Sequence, residues 1–125
     1  MPKLSNSEVR PYVKQRKLFE TNTGAIYSRH FPDLYAVYSW GDHFPMYVYD
    51  NVSRQWFGNF DKFSRSTSKH QSVSRPDVKE DGTFDESSCP RADISWVSTD
   101  YLKSLIIVGS YTRHCAERIL RKEAA

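Results

Sequence analysis

The chain has 125 residues, 38% of them hydrophobic, which suffices for one modest core and leaves too little for two ordinary domains. Its formal charge of +3, from 18 Lys and Arg against 15 Asp and Glu, is too slight to mark a nucleic-acid binder without help from the charge distribution. The longest apolar run, residues 105–108, is far too short to cross a bilayer as a helix, so no membrane partner is expected.

Residues 1–20 hold Lys3, Arg10, Lys14, Arg16 and Lys17 against Glu8 and Glu20, a basic segment. Val9, Tyr12 and Val13 fit a short helix, while Pro11 and the following LFET equally permit an extended lead-in. A turn is expected at Asn22-Thr23-Gly24, because Gly24 is free to take positive φ. Four strand-like pieces follow, at residues 25–31, 34–40, 44–50 and 54–60. Each is rich in β-branched and aromatic residues, and short turn sequences separate them. Short connections argue for an antiparallel meander. With eight Tyr, seven Phe and three Trp, the core must be built from large rings, and the polar tips of Tyr and Trp then need partners. Trp56 and Phe57 alternate across their strand, so one enters the core and the other faces out. His-Phe-Pro occurs at residues 30–32 and again at 43–45; it marks either two similar strand entries or a pair of histidines, His30 and His43, flanking one site.

Residues 61–95 look mostly irregular, and their charge is segregated. Lys62, Arg65, Lys69, Arg75 and Lys79 face only Asp77, whereas Glu80, Asp81, Asp85, Glu86 and Asp93 then outnumber Arg91. The stretch FSRSTSKHQS, residues 63–72, is dense in hydroxyls and contains no acid, which suits phosphate oxygens. It also contains no glycine, so it is not a Walker loop. Thr67 and Ser68 are able to cap a short helix through Lys69 and Val73. Residues 77–93 read as a flexible acidic loop. Beyond them, Ser98 or Thr99 caps a C-terminal helix, Asp100 suits its first turn, and Leu102, Leu105, Ile106, Tyr111, Cys115, Ile119 and Leu120 form its apolar stripe. The expected fold is therefore α+β: one domain over residues 1–125, with a small antiparallel sheet of four to five strands packed by the C-terminal helix.

The succession YAVYSWGDHFPMYVYD and WFGNFDKFSRSTSKHQ, over roughly residues 35–75, resembles a family of small phage-encoded proteins. In that family a strand reading Ser-Tyr-x-Thr-x-apolar-Ala precedes a short hairpin and a Tyr-Ser-x-Thr-Thr/Ser-Lys/Arg-His segment. Ser39-Trp40 stands at the first pair, His43 replaces the threonine, and Tyr47 falls near the alanine. Phe63-Ser64, Thr67, Ser68, Lys69 and His70 follow the second pattern with one inserted position. The resemblance implies a phage or mobile-element setting and no particular activity.

Functional expectations follow from the residue types. The four histidines and two cysteines show no chelating spacing, and His114-Cys115 would point apart on a helix. Cys89 and Cys115 are expected to be reduced thiols, since MPKLSNSEVR lacks an apolar leader. No catalytic residues, metal or cofactor are expected. The first expectation is a non-enzymatic phage-type accessory protein of the host cytoplasm that binds a host factor. Its partner would be a defence nuclease inhibited in the manner of an anti-CRISPR protein, met in part by an acidic surface of Glu80, Asp81, Asp85 and Glu86. The alternative is a nucleic-acid or nucleotide binding module using the basic segment 62–75. Either way the contact residues are Arg65, Thr67, Ser68, Lys69, His70, Arg75 and Trp56.

Overall fold

The computed structural model describes residues 2–61, 64–79, 81, 83, 84 and 94–107. In chain order these form β1 (Lys3–Leu4), a 3-10 turn (Asn6–Glu8), α1 (Val9–Lys14), β2 (Glu20–Thr21), β3 (Ile26–His30), β4 (Leu34–Ser39), β5 (Pro45–Asp50) and β6 (Gln55–Asn59). Then come α2 (Arg65–Ser74), β7 (Ile94–Val97) and α3 (Thr99–Ile107). The fold is α+β, with all seven strands in one sheet and in sequence order.

The meander is present as expected, with β2 to β6 pairing antiparallel in succession. The sheet, however, has seven strands and not four to five, and it is mixed, because β1 runs parallel to β2 and β7 parallel to β6. A parallel pair needs a crossover. α1 lies in the crossover from β1 to β2, and α2 lies in that from β6 to β7. The three added strands are only two to four residues long, too short for a period of two to show in sequence.

Both faces of the sheet are covered. Tyr35 and Val37 of β4 join Val9, Val13, Phe19, Tyr47, Tyr49 and Trp56 in one buried cluster, against which Val73 of α2 packs. Leu34, Ala36 and Tyr38 of the same strand join Val48 and Leu102 of α3 on the other side. β4 is buried along its whole length, as a strand covered on both faces must be. In β5, Tyr38 pairs with Pro45 and Val37 with Tyr47, so Met46 is an extra residue. This bulge leaves Met46 and Tyr47 in the same cluster despite being neighbours. The buried rings find partners for their tips: Tyr35 Oη donates to Lys17 O at 2.7 Å, and Tyr47 Oη to Gln71 O at 2.7 Å.

Arg10 belongs to this scaffold and not to the basic surface. Its residue is only 9% exposed, and its guanidinium donates to the carbonyl oxygens of Ser72, Arg75 and Lys79. A cation is thereby held at the C-terminal end of α2, where the helix dipole favours it.

α3 starts as its sequence predicts, with Ser98 Oγ accepting from Tyr101 N at 3.1 Å. A second tie comes from Asp61, whose Oδ2 accepts from Thr99 N at 2.8 Å and Thr99 Oγ1 at 2.7 Å. These bonds hold the Asp61 carboxyl below its ordinary value of 3.8. A carboxylate with a lowered folded pKa adds stability above its unfolded pKa and loses it as pH falls through the folded one. Asp61→Asn is therefore expected to flatten the acid limb of thermal stability, read as melting temperature between about pH 5 and pH 2. An unchanged limb would show that the tie contributes nothing. The apolar positions expected to continue this helix, Tyr111, Cys115, Ile119 and Leu120, lie outside the described residues, as do residues 85–93 of the acidic loop.

Candidate functional site

α2 lies in the stretch expected to be mostly irregular apart from a short helix through Lys69 and Val73. Its inward face is polar, with Thr67, His70, Gln71 and Ser74 all buried at helical spacing. A hydrophobic stripe is missing, so the helix depends on its cap and on polar partners from the sheet. Ser64 is the cap, its Oγ accepting from Thr67 N at 3.2 Å. The cap thus lies three residues before the expected Thr67, and the helix is correspondingly longer.

His70 is tied to the end of β4, with Ser39 Oγ 2.7 Å from His70 Nδ1. Burial pushes the imidazole below its ordinary value of 6.5, which keeps it neutral near pH 7. Ser39 is itself buried, and no carboxylate bonds to His70 among the described residues. The pair fastens β4 to α2. His70→Ala would leave the Ser39 hydroxyl without its partner and cost about 1–3 kcal/mol in a urea melt at neutral pH. A depressed folded pKa makes the wild-type contribution complete above the unfolded value and lost as pH falls through the folded one. The variant should lose that pH slope, and a variant that kept it would point to another group.

Beside this tie, the hairpin between β4 and β5 sets out an aromatic ring. Trp40 is 55% exposed, its ring lies 5.3 Å from the His70 ring, and its Nε1 donates to Ser66 Oγ at 3.3 Å. Its φ of 62° is a conformation bulky residues rarely take, so the ring is displayed against a local backbone preference. A cavity of about 370 Å³ opens here, lined by Ser39, Trp40, His43, Phe44, Ser64 and Thr67.

On the other flank of α2 lies a second cavity of about 350 Å³. Tyr47, Phe60 and Trp96 supply rings, and Asn59, Ser68, Gln71, Ser72 and Arg75 supply polar groups. Phe60 is 57% exposed and Trp96 42%. The Arg75 guanidinium lies 5.2 Å from the Trp96 ring centre and is held by Asp77 through bonds of 2.6 and 3.0 Å.

The expected contact residues divide accordingly. Arg65 and Lys69 are exposed on α2, Ser68 is half-buried, and Arg75 follows the helix with its charge matched by Asp77. Thr67 and His70 point inward. Trp56 is a core ring packed against Tyr35 and Tyr49, so it is not a surface contact; Phe57, half-buried on the other face, meets Tyr101 of α3. Asp81 is exposed and turns back on Thr83, while Glu80, Asp85 and Glu86 lie outside the described residues. The His30 ring lies tilted against Tyr35 at the start of β4 and His43 follows its far end, so the two histidines do not share a site. Cys89, His114 and Cys115 are also outside the described residues, among which no three potential metal ligands cluster. No helix among the described residues is long and apolar enough to cross a membrane.

Gln71 and Trp96 are absent from the expected contact residues, and Ser39 and Trp40 enter the sequence only through the family pattern. The inward spacing of Thr67, His70, Gln71 and Ser74 was the available signal for the helix, but nothing local announces which distant rings flank it. No family model, curated protein or solved structure matches the chain.

Proposed function

We propose that the protein is a non-enzymatic binding module that holds a phosphate-bearing strand, a single-stranded nucleic acid, against the α2 face. One observation carries this reading: exposed Trp40, Phe60 and Trp96 flank a ten-residue helix that carries Arg65 and Lys69 outward and contains no acid. Rings of this kind stack on unpaired bases while cations and hydroxyls follow the phosphates. The resemblance over residues 35–75 supports a phage-type accessory role in a host cytoplasm. The test is fluorescence anisotropy with a labelled oligonucleotide across a salt series. Binding that weakens linearly in log salt supports the reading, and no binding at low salt removes it.

A second reading is that the same face occupies a host defence nuclease and inhibits it. It draws on the exposure of two Trp rings, the residue type that most often anchors protein interfaces. Recovery of one stoichiometric host protein that still binds when Arg65 and Lys69 are neutralised favours this reading. Charge reversal at Glu80, Asp81, Asp85 and Glu86 tests whether the acidic surface takes part.

A further inference from the structure

We infer that the cavity between α2, β6 and β7 is a pocket for one unstacked nucleobase that presents an N–H donor to Gln71. This rests on the strand-binding reading and specifies where that face would read a base. The pocket is built around Trp96. A Cβ on Gly58 of β6 would come within 2.7 Å of Trp96 Cζ3 and 2.8 Å of Ile94 Cγ2, so only glycine lets the indole lie this close over the neighbouring strand. Trp96 meets Tyr47 edge-on at 6.2 Å, and Arg75 covers one side of it, yet 42% of the residue stays open. Together with Phe60 it gives the cavity apolar walls on which a flat ring stacks.

The polar side of the cavity selects what enters. Gln71 donates through Nε2 to Asn59 O at 2.9 Å, and because a carbonyl must receive a donor, the amide orientation is fixed. Its Oε1 then accepts no bond among the described residues, in a side chain that lines the cavity. An exocyclic amino group or a ring N–H of a base supplies the missing donor. Ser68 and Ser72 line this cavity and also the shallower depression that contains Lys69, so a base in the pocket leaves its phosphate beside a cation. Arg75 is already matched by Asp77 and serves to position Trp96.

The test uses the full chain, nucleoside monophosphates, a base-bearing oligonucleotide and an abasic strand of equal length. Ser72→Phe fills the cavity from an exposed position, and Trp96→Ala removes its stacking wall. Each should weaken binding of the base-bearing strand and the nucleotides about tenfold, leave the salt slope unchanged, and leave abasic binding untouched. If base-bearing and abasic strands bind alike in wild type and both variants, the pocket is overturned while strand binding stands. If nucleotides bind and are blocked by Ser72→Phe but no strand binds, the pocket stands and the strand reading falls. If nucleotides do not bind and both variants instead release a partner protein, the rings serve a protein interface and the inference is overturned.

Discussion

Replacing Arg10 with methionine is expected to lower the unfolding free energy by about 2–4 kcal/mol, one of the largest losses available outside the ring core. The guanidinium joins the carbonyl oxygens of Ser72, Arg75 and Lys79, which come from the end of α2 and the segment after it. Bonds from a charged donor contribute more than neutral ones, and a methionine of similar reach restores the packing while taking the charged donor from all three carbonyls; among the described residues only that of Ser72 keeps another partner, Arg75 N. α2 has a polar inward face and little hydrophobic anchorage of its own, so this clamp bears unusually on its position. Urea melts give the magnitude, and hydrogen exchange locates it: amides late in α2 should lose protection before those of β4. A loss under about 1 kcal/mol would mean that water replaces the guanidinium without penalty.

The second large effect is on binding. Neutralising Arg65 and Lys69 together, each to glutamine, is expected to weaken oligonucleotide affinity roughly 60-fold at about 50 mM salt. The figure follows from a slope of about −0.7 per phosphate for single strands and two contacts removed, which also flattens the slope by about 1.4. Both side chains are exposed, so the melting temperature should hardly move. Loss of affinity with the slope intact would mean that these residues act through something other than phosphate. The two experiments separate cleanly, because Arg10 supports the helix from beneath while Arg65 and Lys69 extend from its outer side.

The contrast between Arg10 and Arg65 shows how charge in a sequence misleads. Both sit in segments dense in Lys and Arg, and counting residues assigns both to one basic surface. Whether a cation is spent on the chain's own carbonyls depends on what folds against it. For Arg10 the acceptors lie more than sixty positions away. Trp56 repeats the lesson for rings: alternation with Phe57 establishes that one of the two is buried, and only packing against Tyr35 and Tyr49 decides which. Trp40 is the reverse case, exposed by a hairpin whose positive φ no residue preference would suggest.

By itself the sequence determined the centre of the molecule. The strands β3 to β6 fall within a residue or two of the expected segments, and α3 begins at the expected cap. Those features are local: an alternation of apolar residues, a turn of glycine, aspartate or asparagine, and a hydroxyl ahead of an apolar stripe each act over a few positions. Tertiary structure alone decided the rest. β1, β2 and β7 exist because a neighbouring strand edge gives their few amides partners, and α2 holds because Ser39, Tyr47, Asn59 and Arg10 meet its polar face. The two cavities beside α2 arise where those distant pieces meet, so the rings that make them binding surfaces become neighbours only once the sheet has closed over both crossovers.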